Sequence, residues 1–228
     1  MMYHPGQPQA QLTITFNSRS ATVSTPVKVA VIYYSSTGFS AEIAKEIGEA
    51  AQKAGAEVRL LKVAELAPEA AIASNEAWAA HAAASAGIPV ATPADVEWAD
   101  AVIFGSPTRF GNVSSQLKQF IDMLGGLWAQ GKLANKVYSG FTSATTAHGG
   151  LESTLLALYN SIHHFGGLIV SPGYTDPGVK FVDGNPYGTS HVSAQGENPI
   201  GEATRNSARH QAERVVQIAA TLKAGFAA

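Results

Sequence analysis

Cysteine is absent from the 228 residues. That excludes disulfides, thiol nucleophiles and Cys-ligated zinc or iron–sulfur centres, so redox chemistry here requires a bound cofactor. Charge is scarce: 14% of residues are Asp, Glu, Lys or Arg, and the net charge is −2. No basic stripe offers a footprint for nucleic acid, and no such partner is expected. No apolar run is long enough to span a bilayer, and the first residues lack the basic start and apolar stretch of a signal peptide. Membrane association is therefore not expected, and a cytoplasmic location is the default. His163, His164 and His191 lack metal-site spacing with carboxylates, so no metal is expected.

What is present is an apolar run, Val27 to Tyr34, followed by Ser35-Ser36-Thr37-Gly38-Phe39-Ser40 and then a helical pattern from Ala41 to Ala54. A buried parallel strand reads as such a run, and a tight polar turn into a helix is the first half of a βαβ unit. Unpaired N–H groups and the helix dipole suit that turn to a phosphate, with Ser and Thr hydroxyls as neutral donors. No Lys follows the glycine as in a Walker A loop, and there is no G-x-G-x-x-G. The turn taken alone is either a monophosphate site or an ordinary Ser/Thr cap.

The length suits one large α/β domain over residues 27–228, preceded by a polar extension, residues 1–26, with a short alternating piece from Leu12 to Phe16. In the first helix Ile43, Ile47 and Ala50 share one face, and Gly55 stands where a helix ends. Glu57–Lys62 reads as a second strand. Val63 to Thr92 is alanine-rich, poor in apolar anchors, and predicts a helical or loop excursion on the surface. Trp78 within it suits a partner contact or a fold back onto the domain. A helical turn over residues 93–100 leads to a third strand, Ala101–Gly105, and then to Ser106–Asn112. Val113, Leu117, Phe120, Ile121 and Leu124 share the face of the next helix, with Gly125-Gly126-Leu127-Trp128 ending it. The fourth strand, residues 136–141, runs into a loop at 142–149, followed by a helix over 151–164 and a fifth strand at 167–170. A Gly- and Pro-rich segment over 171–199, with a turn at Asp183-Gly184, precedes a last helix over 202–223.

Five alternations of strand and helix predict a five-stranded parallel sheet covered on both faces. Ligands bind such sheets beyond the carboxyl ends of the strands, and three hydroxyl- and glycine-rich loops, 35–40, 106–112 and 142–149, end strands one, three and four.

Five segments carry a specific likeness: Tyr33-Tyr34-Ser35 with Gly38; Phe104 to Asn112, which includes Pro107-Thr108-Arg109-Phe110-Gly111-Asn112; Gly125-Gly126-Leu127-Trp128; His148-Gly149-Gly150; and Pro186-Tyr187-Gly188. From about Val27 to its C-terminus the chain resembles the flavodoxin-like NAD(P)H:quinone oxidoreductases of the WrbA type. The resemblance implies a flavodoxin-like doubly wound sheet of order 2-1-3-4-5, bound FMN, NAD(P)H as electron donor, a quinone substrate and a homotetramer. It implies that Ser35, Ser36, Thr37, Gly38, Phe39 and Ser40 hold the FMN phosphate. Pro107, Thr108, Arg109, Phe110 and Gly111 would flank the isoalloxazine ring, joined by Ser143, Ala144, Thr145, Thr146, Ala147 and His148. His164 would lie near the ring and Trp128 beside the substrate or nicotinamide, as the candidate catalytic residues. The chain departs from the family in having Thr37 where an aromatic or small residue often stands, Ser143-Ala144-Thr145 for Ser-Thr-Gly, and His164-Phe165-Gly166 for His-His-Gly.

Arg109 beside the flavin would stabilise the reduced anion, or it is a surface ion pair. His148 and His164 would donate to flavin or to a quinone oxygen, or cap loops. The expected reaction is hydride transfer from NAD(P)H to flavin N5, then two-electron reduction of a quinone to its hydroquinone. The alternatives are a flavodoxin-type electron carrier, disfavoured by the small net charge, and a regulatory FMN-binding module. No acidic or basic position placed to read the nucleotide ribose stands out in the sequence.

Overall fold

The structure, a computed structural model, describes residues 26–182 and 184–227. The expected extension, apart from Pro26, and Asp183 of the expected turn lie outside the described residues. Five strands form a parallel sheet of order β2-β1-β3-β4-β5: β1 Lys28–Tyr33, β2 Glu57–Lys62, β3 Ala101–Pro107, β4 Val137–Ala144 and β5 Leu168–Ile169. The order is the expected one. A sixth strand, β6 Ser190–Val192, corrects the expected count of five. It pairs with Thr142, Ser143 and Ala144, while β5 pairs only with Val137 and Tyr138. The fifth strand position is thus filled in two pieces, with residues 170–189 looping out between them.

Alternation along the strands assigns side chains to two cores. Ala30, Ile32 and Tyr34 join Val102 and Phe104 on one face, under α5 (Ser115–Asp122) and α7 (Leu151–Phe165). Val29, Val31 and Tyr33 join Ala101 and Ile103 on the other, under α1 (Phe39–Lys53) and α9 (Glu202–Ala227). Val113, Leu117, Phe120, Ile121 and Leu124 are all buried, as their spacing predicts. The expected end of that helix is different. Gly125–Ala129 form a further short helix, α6, anchored by buried Leu127. The glycines open a turn because a buried leucine two residues on gives that turn a face to bury.

Strand β4 also runs three residues past its expected end. Thr142, Ser143 and Ala144 stay in the sheet, buried, because β6 pairs with them and the Thr142 hydroxyl donates to the Ser106 carbonyl at 2.7 Å. A polar strand end is tolerated inside when its hydroxyls are bonded. The excursion after β2 carries α2 (Glu69–Ala73) and α3 (Glu76–Ala84), and α4 (Pro93–Trp98) leads into β3. The segment between β5 and β6 carries α8 (Pro177–Lys180).

Candidate active site

Parallel register brings the strand ends level. Tyr33 lies beside Gly105, Pro107 beside Ser143, and Ser143 beside His191. The loops that leave β1, β3 and β4 therefore meet at one edge of the sheet. They enclose a cleft of about 320 Å³, within the range of small-ligand sites.

The turn after β1 is shaped by Gly38, whose φ of 101° is open only to glycine at little cost. The Ser35 hydroxyl accepts the Gly38 N–H at 3.1 Å and closes the turn. The N–H groups of Thr37, Phe39 and Ser40 have no protein acceptor among the described residues. Ser40 is buried, and its hydroxyl meets that of Ser143 at 3.1 Å, tying the turn to the end of β4. These unspent donors at a helix start are what a phosphate group requires. Phe39 stacks on His191 of β6, with ring centroids 5.4 Å apart. His191 is held in turn by the Asn198 carbonyl at 2.8 Å.

The second wall comes from β3. The Thr108 N–H donates to the Ser143 carbonyl at 2.8 Å, and the Thr108 hydroxyl bridges to the Gly149 carbonyl and the Thr154 hydroxyl at 3.2 and 2.7 Å. Arg109 and Asn112 exchange backbone hydrogen bonds of 2.7 and 3.0 Å across a two-residue turn. Phe110 and Gly111 occupy that turn with φ of 53° and 75°, the left-handed pair that such a turn needs. Phe110 points its whole ring into solvent. The guanidinium of Arg109 reaches back to Ser36 Oγ at 3.3 Å and to its neighbour's carbonyl at 2.9 Å, so a permanent positive charge spans the cleft.

Of the expected residues, Ser36, Thr37, Phe39, Pro107, Thr108, Arg109, Ser143, Ala144 and Thr145 line the cleft. Ser35, Gly38 and Ser40 shape the turn beneath them, and Phe110, Thr146, Ala147 and His148 are exposed in the flanking loops, as Gly111 is in part. His164 and Trp128 are not brought there. They sit together, with Trp128 Nε1 donating to the His164 carbonyl at 2.9 Å, in a separate cavity. Helix α7 starts beside the cleft at Leu151 and reaches His164 after roughly 20 Å, at the amino-terminal edge of the sheet.

Three further residues line the cleft: Asn75, Trp78 and Ser193. Trp78 folds back onto the domain. Its Nε1 donates to Glu65 at 3.1 Å, where Tyr34 at 2.8 Å, Gln116 at 2.7 Å and the N–H groups of Leu66 and Ala67 also converge. Burial works against charge on Glu65, but its bonds from Ala67, Gln116, Tyr34 and Leu66 outweigh it and hold the carboxyl below its ordinary range. Burial, and then Glu65, push the Tyr34 phenol up. This knot fastens the excursion to β1 and α5, and with it one wall of the cleft. The lone Trp was a signal in the sequence; Ser193, inside a Gly- and Pro-rich segment, had none.

Residues 27–175 match the family described as NADPH-dependent FMN reductase. The chain belongs to that family. A Deinococcus radiodurans protein named NAD(P)H dehydrogenase (quinone) is 51% identical over 200 residues, covering 88% of this chain and 99% of that protein. One of the same name from Azorhizobium caulinodans is 42% identical over 200 residues, covering 86% and 98%. Among solved structures, a flavodoxin, WrbA-like protein from Agrobacterium tumefaciens superposes with a TM-score of 0.59 at 23% identity, covering 85% of this chain and 97% of that one. That likeness concerns the fold, the flavodoxin-like doubly wound sheet.

Proposed function

We propose that the protein is an FMN-dependent NAD(P)H:quinone oxidoreductase. The observation that carries this reading is the meeting of three hydroxyl-rich loops around a cleft whose phosphate turn keeps its N–H donors unspent. Family membership and the names of the relatives support it. The residues fit the group: Thr37, Phe39 and Ser40 supply backbone donors for a phosphate, and Ser36 and Ser40 supply hydroxyls. Pro107 to Phe110 and Ser143 to Thr145 supply the walls for a flat ring. FMN bound there would accept two electrons as hydride at N5 from NAD(P)H and pass them to a quinone.

The chain's own residues do the rest. Arg109, its guanidinium bonded to Ser36 Oγ and to the Thr108 carbonyl, places a positive charge where a reduced ring would be anionic. The bond between Thr108 and Ser143 holds the two walls at a set spacing. Exposed His148 stands at the rim as a donor for a quinone oxygen. Trp128 and His164 serve the site only from a neighbouring copy, because in their own chain they lie at the far edge of the sheet. That is the arrangement proposed here for a homotetramer. Among the described residues no helix is long and apolar enough to cross a membrane.

FMN titration of the apo-protein, read by quenching of flavin fluorescence, tests the assignment. Saturable binding that weakens about tenfold in Ser40→Ala is expected, the loss of a hydrogen bond to a charged group. Binding that is absent, or indifferent to that change, would remove the phosphate turn from the function.

A further inference from the structure

A second cavity, of about 420 Å³, is separate from the cleft. It lies beyond Trp78, which walls both it and the cofactor cleft, under α3 and over the carboxyl ends of β1 and β2. Its body is apolar, with Val63, Ile72 and Val90 among its lining. Glu65, the sole carboxylate in the lining, already receives five donors, which saturates the roughly four lone-pair positions of a carboxylate. What remains are donors with capacity to spare. Among the described residues the Lys62 ammonium bonds only the Ser85 carbonyl, at 2.7 Å. His81 lines the same cavity and has no hydrogen-bond partner among the described residues; burial and then Lys62 hold its pKa below the ordinary value, so it offers a neutral ring N–H beside the Lys62 ammonium. Tyr33, paired in register with Lys62, is 3% exposed, and its hydroxyl also lacks a partner among the described residues. A buried hydroxyl without a partner is costly unless something is there to receive its hydrogen bond.

An apolar chamber of this size with Lys62, His81 and Tyr33 in its lining suits a flat heterocycle carrying a phosphate. Accepting the function proposed above, the chamber stands one tryptophan away from where a nicotinamide would lie. We propose that it receives the 2′-phosphoadenosine end of NADPH, with Lys62 and His81 reading the 2′-phosphate. A basic group at the ribose selects the phosphorylated dinucleotide, as an acidic one excludes it. The enzyme then prefers NADPH to NADH, and Lys62 and His81 are its specificity residues.

Calorimetric titration of the FMN-loaded protein with 2′,5′-ADP and with 5′-ADP tests this without turnover. The 2′-phosphorylated nucleotide is expected to bind about tenfold more tightly or better, the worth of a charge-assisted hydrogen bond. Lys62→Met and His81→Ala should each reduce that preference, and Ala82→Phe, which fills the chamber, should abolish binding of both nucleotides with FMN affinity intact. In steady state Lys62→Met lowers kcat/KM for NADPH relative to that for NADH. Equal affinity for the two nucleotides, no binding of either, or a preference unmoved by Lys62→Met and His81→Ala overturns the assignment. Those results leave the oxidoreductase reading standing if NADH still reduces the flavin. Tight 2′,5′-ADP binding in a protein that turns over no quinone upholds the chamber and removes the reaction.

Discussion

Phe110 combines two liabilities that a residue chosen only for stability would avoid. Its φ of 53° costs roughly 1–2 kcal/mol for a side chain other than glycine, and its ring is wholly exposed at the rim of the cleft. Strain and exposure at a site rim are explained together if the ring meets a ligand. Phe110→Asn, which tolerates the left-handed region, should raise stability by roughly 0.5–1 kcal/mol and raise the KM for quinone. A thermal melt and a quinone saturation curve decide it; a variant with unchanged KM removes Phe110 from the substrate's path. Gly38 is the opposite case. Gly38→Ala forces a β-carbon into φ 101° and to within 3.6 Å of His81 Nδ1, and should weaken both folding, by about 1 kcal/mol or more, and FMN binding. Equal FMN affinity in that variant would mean the turn's shape does not matter to the ligand. At this scale the sequence was most legible where hydroxyls and glycines cluster. Ser36, Thr37, Thr108, Arg109 and Ser143 were all expected in the cleft and all line it. It was least legible where distance matters. Nothing in the spelling of His164 or Trp128 records that a helix of 15 residues carries them to the far edge of the sheet.

Elements were readable where a long run of one periodicity buries one face. Strands β1 to β3 and helices α1, α5, α7 and α9 meet that condition, and their positions follow from Val, Ile and Leu spacing. The misread pieces are those whose burial depends on a distant partner. Ser190–Val192 becomes a strand only because β4 offers an unpaired upper half, and Gly125–Ala129 a helix only because Leu127 finds the core. The placement of α1 against α9 also rests on charge. Arg205 pairs with Glu42 and with Glu46 at 3.0 Å, and Arg209 with Glu46 at 2.6 Å and Glu202 at 2.6 Å. Burial opposes charge on Glu46, yet the bonds from Arg205 and Arg209 hold its carboxyl below the ordinary value of 4.5. Glu65 behaves alike. A depressed folded pKa stabilises above the unfolded value and the benefit is lost as pH falls through the folded one. Melting temperature should therefore hold above about pH 5 and decline below it, and Glu46→Gln should lower the melting temperature at neutral pH while flattening part of the acid slope. A Glu46→Gln protein with the wild-type acid profile would show that the clamp contributes nothing.

Across the molecule, the exposed Trp128, at 58%, and the exposed Phe110 lie at opposite ends of the α5–α7 side of one chain. In the proposed tetramer a neighbour's Trp128 closes the cleft that Phe110 borders. Trp128→Ala is then expected to raise the KM for quinone several-fold, with FMN affinity unchanged and the tetramer intact by sedimentation. Unchanged kinetics in an intact tetramer would remove Trp128 from the site. The central claim, that this cleft holds FMN and cycles it between a nicotinamide donor and a quinone, is met most directly in one cuvette. FMN-loaded protein is mixed without oxygen with NADPH, then with benzoquinone, while the flavin absorption is followed. The account predicts bleaching on NADPH and full recovery on quinone. Tightly bound flavin that NADPH and NADH both leave oxidised would contradict it.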